Sequence, residues 1–174
     1  VSSDGQVQAS ASKDLITEYP HPGWSEQNPE DWYEALCQTV KEVLNKSGLA
    51  AKSIVSICLT AATPTPGLLD SENRTIRQAI LWTDQRSVKE VAWLNENHED
   101  QIIKLGFNKA NPTWTLPQLL WVKNNEPQIF EKIDKVMFAK DYLRYKLTDT
   151  WETDHIDALG SLILNAEKRQ WSQR

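Results

Sequence analysis

The segment Ser53–Arg86, SIVSICLTAATPTPGLLDSENRTIRQAILWTDQR, decides the predicted fold of this chain. It begins with the β-branched apolar run Ile54–Leu59, whose length suits a buried strand. The small residues and prolines that follow cannot continue a central strand. A second apolar run, Ala79–Trp82, ends in Thr83-Asp84-Gln85-Arg86. Both predicted strands therefore end in loops with polar or aromatic side chains, and ligands of open α/β sheets bind outside such strand ends.

The composition predicts one globular domain. The 174 residues are 40% hydrophobic and include eight tryptophans, which excludes a disordered chain. The net charge of −5 disfavours nucleic-acid binding, which needs a basic surface. No apolar run approaches the roughly 18 residues that span a bilayer, and no secretory segment is visible, so we expect a cytoplasmic protein. Cys37 and Cys58 suit buried free thiols better than a disulfide or a zinc site.

Alternating strand and helix patterns predict an α/β domain. The first helix has the clearest boundaries, because Asn28 is a typical N-cap, Pro29 suits the first turn and Gly48 suits the end. Thr115 is expected to cap a later helix. We expect the core between the first helix and the sheet to contain Trp32, Leu36, Val40, Ile57, Leu59, Ile80 and Leu81.

Motif chemistry by itself identifies no reaction. The sequence has neither a glycine-rich phosphate loop nor a histidine- or cysteine-rich metal cluster. His155, between Asp154 and Asp157, could act as an acid or base, but a solvated residue in the first turn of a helix is the favoured interpretation. For Trp24, covering the start of the first helix is favoured over gripping a ligand.

Several blocks, taken together and in order, resemble the FGGY carbohydrate kinases, notably the xylulokinases. They begin with PGWSEQ at residues 22–27 and ILWTDQR at residues 80–86. PQLLWV at residues 117–122, KDYLR at residues 140–144 and DALG at residues 157–160 follow. Each block is weak alone, but their shared order is specific.

The resemblance implies a ribonuclease-H-like, actin-like ATPase domain with a mixed sheet and flanking helices. Residues 1–174 would form the sugar-binding side of the N-terminal domain, truncated at both ends and lacking its first strand. Arg86 is expected to fix Asp84 or the helix start rather than to touch sugar. The substrate-binding residues implied are Thr63, Pro64, Trp82, Asp84 and Trp114.

The chain departs from the family in three places. Xylulokinases carry Gln-Met-His-Gly where this chain has Ala62–Thr65, which puts D-xylulose in doubt as the substrate. The family's Asp-x-Gly-Thr phosphate segment and its catalytic aspartate do not occur within these residues. We therefore expect a parent kinase that uses ATP and Mg to phosphorylate a ketose or polyol, and a fragment that binds neither cofactor and is inactive. A non-catalytic sugar-binding or interaction module is the alternative, and a homodimer through an open sheet edge is expected.

Overall fold

The computed structural model describes residues 1–172 and confirms the α/β class. Six short strands are present in this part of the chain: β1 Glu26–Gln27, β2 Pro66–Leu69, β3 Ala79–Ile80, β4 Lys135–Phe138, β5 Leu164–Asn165 and β6 Gln170–Trp171. Its α-helices are α1 Pro29–Ser47, α2 Val88–Gly106, α3 Thr115–Asn125, α4 Pro127–Phe130, α5 Ala139–Thr148 and α6 His155–Gly160. No helix among the described residues is long and apolar enough to cross a membrane.

The described strands form small sheets that pack against the helices. They form three antiparallel pairs, β1 with β3, β2 with β4 and β5 with β6. Successive residues of β2 point to opposite faces, as the strand geometry requires. Leu69 packs in a core with Trp32 of α1 and Tyr142 of α5, whereas Leu68 packs with Trp121 of α3 on the other face.

The predicted strand Ile54–Leu59 is wrong for the described residues. The segment follows a short 3-10 turn at Ala51–Ser53 and pairs with no other part of residues 1–172. Val55 is 97% exposed, and Cys58 is also exposed instead of buried. An extended segment becomes a strand only when a neighbour satisfies its backbone N–H and C=O groups, so β-branched residues alone do not produce one.

The predicted core is consequently only partly correct. Trp32 and Ile80 are buried, but they belong to separate cores on the two faces of the strands. Leu36, Leu59 and Leu81 are only half-buried, and Val40 and Ile57 are exposed. Leu36 and Val40 of α1 lack the strand at Ile54–Leu59 on which they would pack, because that segment is unpaired.

The ends of α1 are confirmed in detail. The Asn28 side chain accepts a hydrogen bond from the Glu30 N–H at 3.2 Å, and Pro29 occupies the first turn. Gly48 ends the helix with a φ of 68°, and its N–H donates to the Leu44 carbonyl. Thr115, by contrast, lies inside α3, and Trp114 occupies the N-cap position.

Substitutions in the buried core and on the exposed side of α1 should have different effects on the free energy of unfolding. Leu69 is fully buried and Val40 is 39% exposed. Leu69→Ala should destabilise the chain by about 2 to 5 kcal/mol, because it leaves a cavity. Val40→Ala should stay within about 0.5 kcal/mol of the original, as surface changes usually do. Urea denaturation followed by circular dichroism measures both, and equal losses would contradict this division.

Candidate sugar site

The turn that carries Trp82 is held against the loop before β1. The Leu81 N–H donates to the Ser25 carbonyl at 3.0 Å, and the Gln85 N–H donates to the Gly23 carbonyl at 2.8 Å. Gly23 has a φ of 81°, a conformation that glycine adopts without strain. These bonds continue the β1–β3 pairing beyond the strands and fix the turn while Trp82 stays half exposed.

Asp84 lies beneath this turn and is only 1% exposed. Its Oδ2 atom accepts from the Ser25 N–H at 2.6 Å and from Arg86 Nη2 at 2.8 Å. Its Oδ1 atom accepts from the backbone N–H and the Nε of Arg86, at 2.8 and 2.9 Å. A carboxylate offers about four acceptor positions. Because four donors already fill them, a sugar hydroxyl could bind Asp84 only by displacing one.

Arg86 connects Asp84 to the edge-to-face pair formed by Trp24 and Trp121. Its guanidinium carbon lies 3.9 Å from the centroid of Trp24 and 5.0 Å from that of Trp121. Arg86 Nη1 also donates to Glu26 Oε1 at 2.6 Å. Arg86 thus fixes Asp84, as expected, and Trp24 packs against this cation.

Glu26 connects Arg86 to a second arginine, since it pairs with both. Arg77 forms ion pairs with Glu26 and with Glu126, the latter at 3.2 Å. Burial lowers the pKa of Arg77, more than the carboxylates of Glu126 and Glu26 raise it. The network therefore joins β1, the loop before β3 and the residue after α3.

Gln118 of α3 ties the Trp82 turn to the loop before α3. Its Nε2 atom donates to the carbonyl of Leu81 at 3.3 Å and to that of Pro112 at 3.4 Å. Ser87 Oγ donates to the same Pro112 carbonyl at 3.3 Å. The turn with Trp82 and the loop with Trp114 are therefore neighbours.

Thr63 and Trp114 meet at Gly160, the last residue of α6. A Cβ atom built on Gly160 would lie 3.2 Å from Cζ3 of Trp114 and 3.5 Å from Cγ2 of Thr63. The two side chains therefore lie within van der Waals reach of the same point. The Leu116 N–H, just after Trp114, donates to the Ser161 carbonyl at 3.0 Å and holds α3 against α6.

The five sequence-predicted site residues thus occupy different environments. Thr63 and Trp82 are exposed, and Trp114 is partly exposed. Pro64 and Asp84 are buried, so they support the loops rather than presenting a surface. Sequence reasoning missed Gln118 and Gly160. Both lie in the family blocks PQLLWV and DALG, but a glutamine in a helix and a glycine at a helix end are common without any site, so the sequence assigns neither a role.

A cluster centred on Lys140 lies at the start of α5. Lys140 Nζ lies 3.0 Å from Asp141, 3.0 Å from Asp154 and 2.5 Å from Asp157. Burial acts to lower the Lys140 pKa, but hydrogen bonds to Asp157 and the other two carboxylates outweigh it and raise the pKa. Asp154 caps α6 by accepting from the N–H groups of Ile156 and Asp157, and His155 is exposed. The arrangement stabilises α6, which carries Gly160.

A groove of about 600 Å³ lies between β4 and the β5–β6 hairpin. It is lined by Trp151, Trp171 and Asp141 among others, and by none of the five predicted sugar-binding residues. Size alone therefore does not make it the sugar site.

The described residues do not fit a Mg·ATP site. Residues 1–172 contain no group of three or more histidine, cysteine, aspartate or glutamate side chains that could hold a metal ion. The carboxylates around Lys140 are already paired with that cation. The sequence also lacks a glycine-rich loop that could cradle phosphates.

The family model of the FGGY carbohydrate kinases, N-terminal domain, matches residues 1–174. This chain belongs to the FGGY family of carbohydrate kinases. The FGGY chain is 34% identical to the xylulose kinase of Bacillus subtilis (strain 168), with 99% of this chain and 34% of that protein covered. It is 37% identical to the xylulose kinase of Escherichia coli (strain K12), with 97% and 34% covered.

The fold comparison agrees. The crystal structure of a xyloylose (xylulose) kinase from Brucella ovis superposes with a TM-score of 0.87 at 36% identity, covering 91% of this chain and 32% of that one. The FGGY chain therefore has the ribonuclease-H-like, actin-like ATPase fold expected from the resemblance. It spans about a third of the length of these relatives.

Arg86 should be far more important for stability than an exposed arginine. Arg86→Ala would leave Asp84 buried without its cation and Glu26 with Arg77 alone, and an unpaired buried charge typically costs about 3 to 5 kcal/mol. Arg74→Ala is the matched control, because Arg74 pairs with Asp70 and Glu72 at the surface. Its free energy of unfolding should hardly change. Similar losses in the two variants, measured by urea denaturation, would show that the buried network is not decisive.

The acid stability of the chain should depend on Asp154. Burial acts to raise the Asp154 pKa, but the Asp157 N–H, the Lys140 ammonium and the Ile156 N–H outweigh it and lower the pKa below its ordinary 3.8. Its contribution is therefore present above pH 3.8 and is lost as the pH falls through the lowered value.

Two substitutions at Asp154 distinguish the effect of the helix cap from the effect of the carboxylate charge. Asp154→Ala should cost about 0.5 to 2 kcal/mol near neutral pH, since alanine cannot cap a helix. Asp154→Asn keeps a capping oxygen and should cost less. The difference between Asp154→Asn and the original chain should shrink as pH falls below 3.8. A difference independent of pH, measured by denaturation at several pH values, would refute the assignment.

Proposed function

We propose that the full-length protein containing this chain is an ATP-dependent carbohydrate kinase that phosphorylates a ketose or polyol such as xylulose. The observation that carries this proposal is the family match along the whole chain. The alignment with xylulose kinases over 97 to 99% of the chain supports a sugar rather than another acceptor.

The share of this chain in the reaction is to bind and orient the sugar. Trp82 and Trp114 offer partly exposed indoles, and Thr63 adds a short side chain beside Trp114. An indole presents a flat apolar surface with a polar N–H at its edge, which suits the C–H face of a polyol. Asp84 and Pro64 serve the site indirectly, by holding the turn of Trp82 and the loop of Thr63.

ATP and Mg belong to other parts of the full-length protein in this proposal. Phosphoryl transfer requires a metal ion and a phosphate cradle, in addition to a positioned acceptor. The described residues fit neither, so residues 1–174 alone should release no ADP.

The decisive assay is coupled ADP release from Mg·ATP with a panel of ketoses and polyols, D-xylulose included. The full-length protein should turn over at least one sugar, and residues 1–174 should not exceed the background. A full-length protein that is folded yet inactive on every sugar would overturn the kinase proposal. Turnover by residues 1–174 would overturn the proposed division of the site.

Trp82 and Trp93 form a matched pair for testing the sugar site. Their exposed fractions are 48% and 49%, but Trp93 lies on α2, where its ring contacts His98. Trp82→Ala should raise the KM for the sugar about tenfold, which corresponds to about 1.4 kcal/mol of binding. The KM for ATP should not change, and Trp93→Ala should change neither constant. Equal effects of the two substitutions would remove Trp82 from the site.

A second candidate is a non-catalytic sugar-binding or interaction module. The short residues at Ala62–Thr65 favour it, since they cannot reach a sugar with long polar side chains. Sugar binding without ADP release by the full-length protein would select this alternative.

A homodimer and a cytoplasmic location complete the proposal. The exposed, uncharged segment Ile54–Leu59 supports the homodimer, because unpaired extended segments tend to pair with another chain. Light scattering on the chain and on Val55→Lys would test it. A monomer in both samples would exclude pairing through this segment.

A further inference from the structure

Gly160 is buried at a point where no other residue fits without moving its neighbours. A Cβ atom there would lie 3.2 Å from Cζ3 and 3.5 Å from Cε3 of Trp114, and 3.5 Å from Cγ2 of Thr63. Carbon atoms in good contact lie about 3.5 to 4.0 Å apart. A side chain on Gly160 would therefore push the indole away from α6.

The backbone does not explain this glycine. Gly160 lies in helix α6 and is not among the glycines with positive φ, which in the described chain are Gly5, Gly23 and Gly48. Its backbone conformation is therefore one that alanine also adopts. What the position requires is the space that the missing side chain leaves for Trp114.

The indole of Trp114 cannot easily rotate away to relieve such a contact. Its Nε1–H donates to the Lys109 carbonyl at 3.1 Å, which fixes the edge of the ring. Its backbone N–H donates to the Asn111 carbonyl at 3.1 Å, and its carbonyl accepts from the Gln118 N–H. The ring is thus held by its own loop, by α3 and by the flat surface over Gly160.

We propose that Gly160 is a positioning residue: it sets the distance of the Trp114 indole from helix α6 beside Thr63, and thereby the position of the bound sugar. This rests on the proposed function. Trp114 and Thr63 form one continuous wall only because α6 presents a bare backbone at Gly160. A sugar whose C–H face lies on this wall is placed by the ring, so a small displacement of the ring moves the reacting hydroxyl.

Gly160→Ala in the full-length protein tests the proposal. The KM for the sugar should rise about tenfold, because a displaced indole no longer fits the C–H face of the sugar and about 1.4 kcal/mol of binding is lost. The KM for ATP should stay unchanged. Gly67→Ala is the matched control, since a Cβ on this buried glycine of β2 meets its nearest neighbours, Met137 O and Pro29 Cγ, at 3.5 and 3.7 Å. It should leave both KM values unchanged.

Trp114→Phe supplies a second variant and a test of whether the two positions act together. Phenylalanine lacks the Cζ3 and Cε3 atoms of the indole that crowd Gly160. Trp114→Phe alone should raise the sugar KM, and adding Gly160→Ala should raise it no further. An additive double variant, an unchanged sugar KM in either single variant, or parallel changes in the KM for sugar and ATP would each overturn the proposal.

Failure of the proposed function is distinguishable from failure of this inference. If the wild-type protein releases no ADP with any sugar, the kinase proposal fails. The same variants are then compared by direct calorimetric titration with D-xylulose and the other sugars. Weaker binding by Gly160→Ala but not by Gly67→Ala would still support Gly160 as the positioning residue. Equal binding by the two would overturn it.

Discussion

The ion pairs of the buried Arg86 guanidinium are the interaction on which the candidate site depends. The guanidinium lies 3.9 Å from the ring centroid of Trp24 and 5.0 Å from that of Trp121, beside the edge-to-face contact of the two rings, and pairs with both Asp84 and Glu26. A buried cation is tolerated only when its charge is paired and its N–H groups have acceptors. These partners come from β1 and the loop before it, from the turn after β3 and from helix α3. The cost of leaving the charge unpaired therefore keeps three distant segments together.

Two hydrogen-bonding residues extend this order to the surface. The carboxylate of Asp84 accepts hydrogen bonds from Ser25 and Arg86 at all of its acceptor positions, which fixes the turn that exposes Trp82. Gln118 then joins that turn to the loop before α3. The rings of Trp82 and Trp114 are thus carried by backbone segments that hydrogen bonds to the buried side chains of Asp84 and Gln118 hold in place. Such support is what a binding surface needs if it is to orient a ligand with little loss of entropy.

Helix α6 contributes a different kind of constraint, which is shape. The Lys140 cluster holds the start of this helix, and Gly160 at its end leaves room for Trp114 and Thr63. None of the five predicted sugar-binding residues lines the groove of about 600 Å³ beside β4. Among the described residues, the wall around Gly160 is where two of the expected sugar-binding residues meet.

The sequence by itself determined the features that depend on local chemistry. It predicted the boundaries of α1, because Asn28 and Gly48 act through bonds to residues nearby in the chain. It also predicted the pairing of Arg86 with Asp84, two residues away, and the family to which the chain belongs. Only the tertiary structure decided which extended segment becomes a strand. Ile54–Leu59 has the right residues but no paired neighbour in the described chain, while Pro66–Leu69 pairs with β4. The role of Gly160 was equally invisible, because it depends on atoms of Trp114 and Thr63 that only folding brings within 3.5 Å of the point where a Cβ would lie.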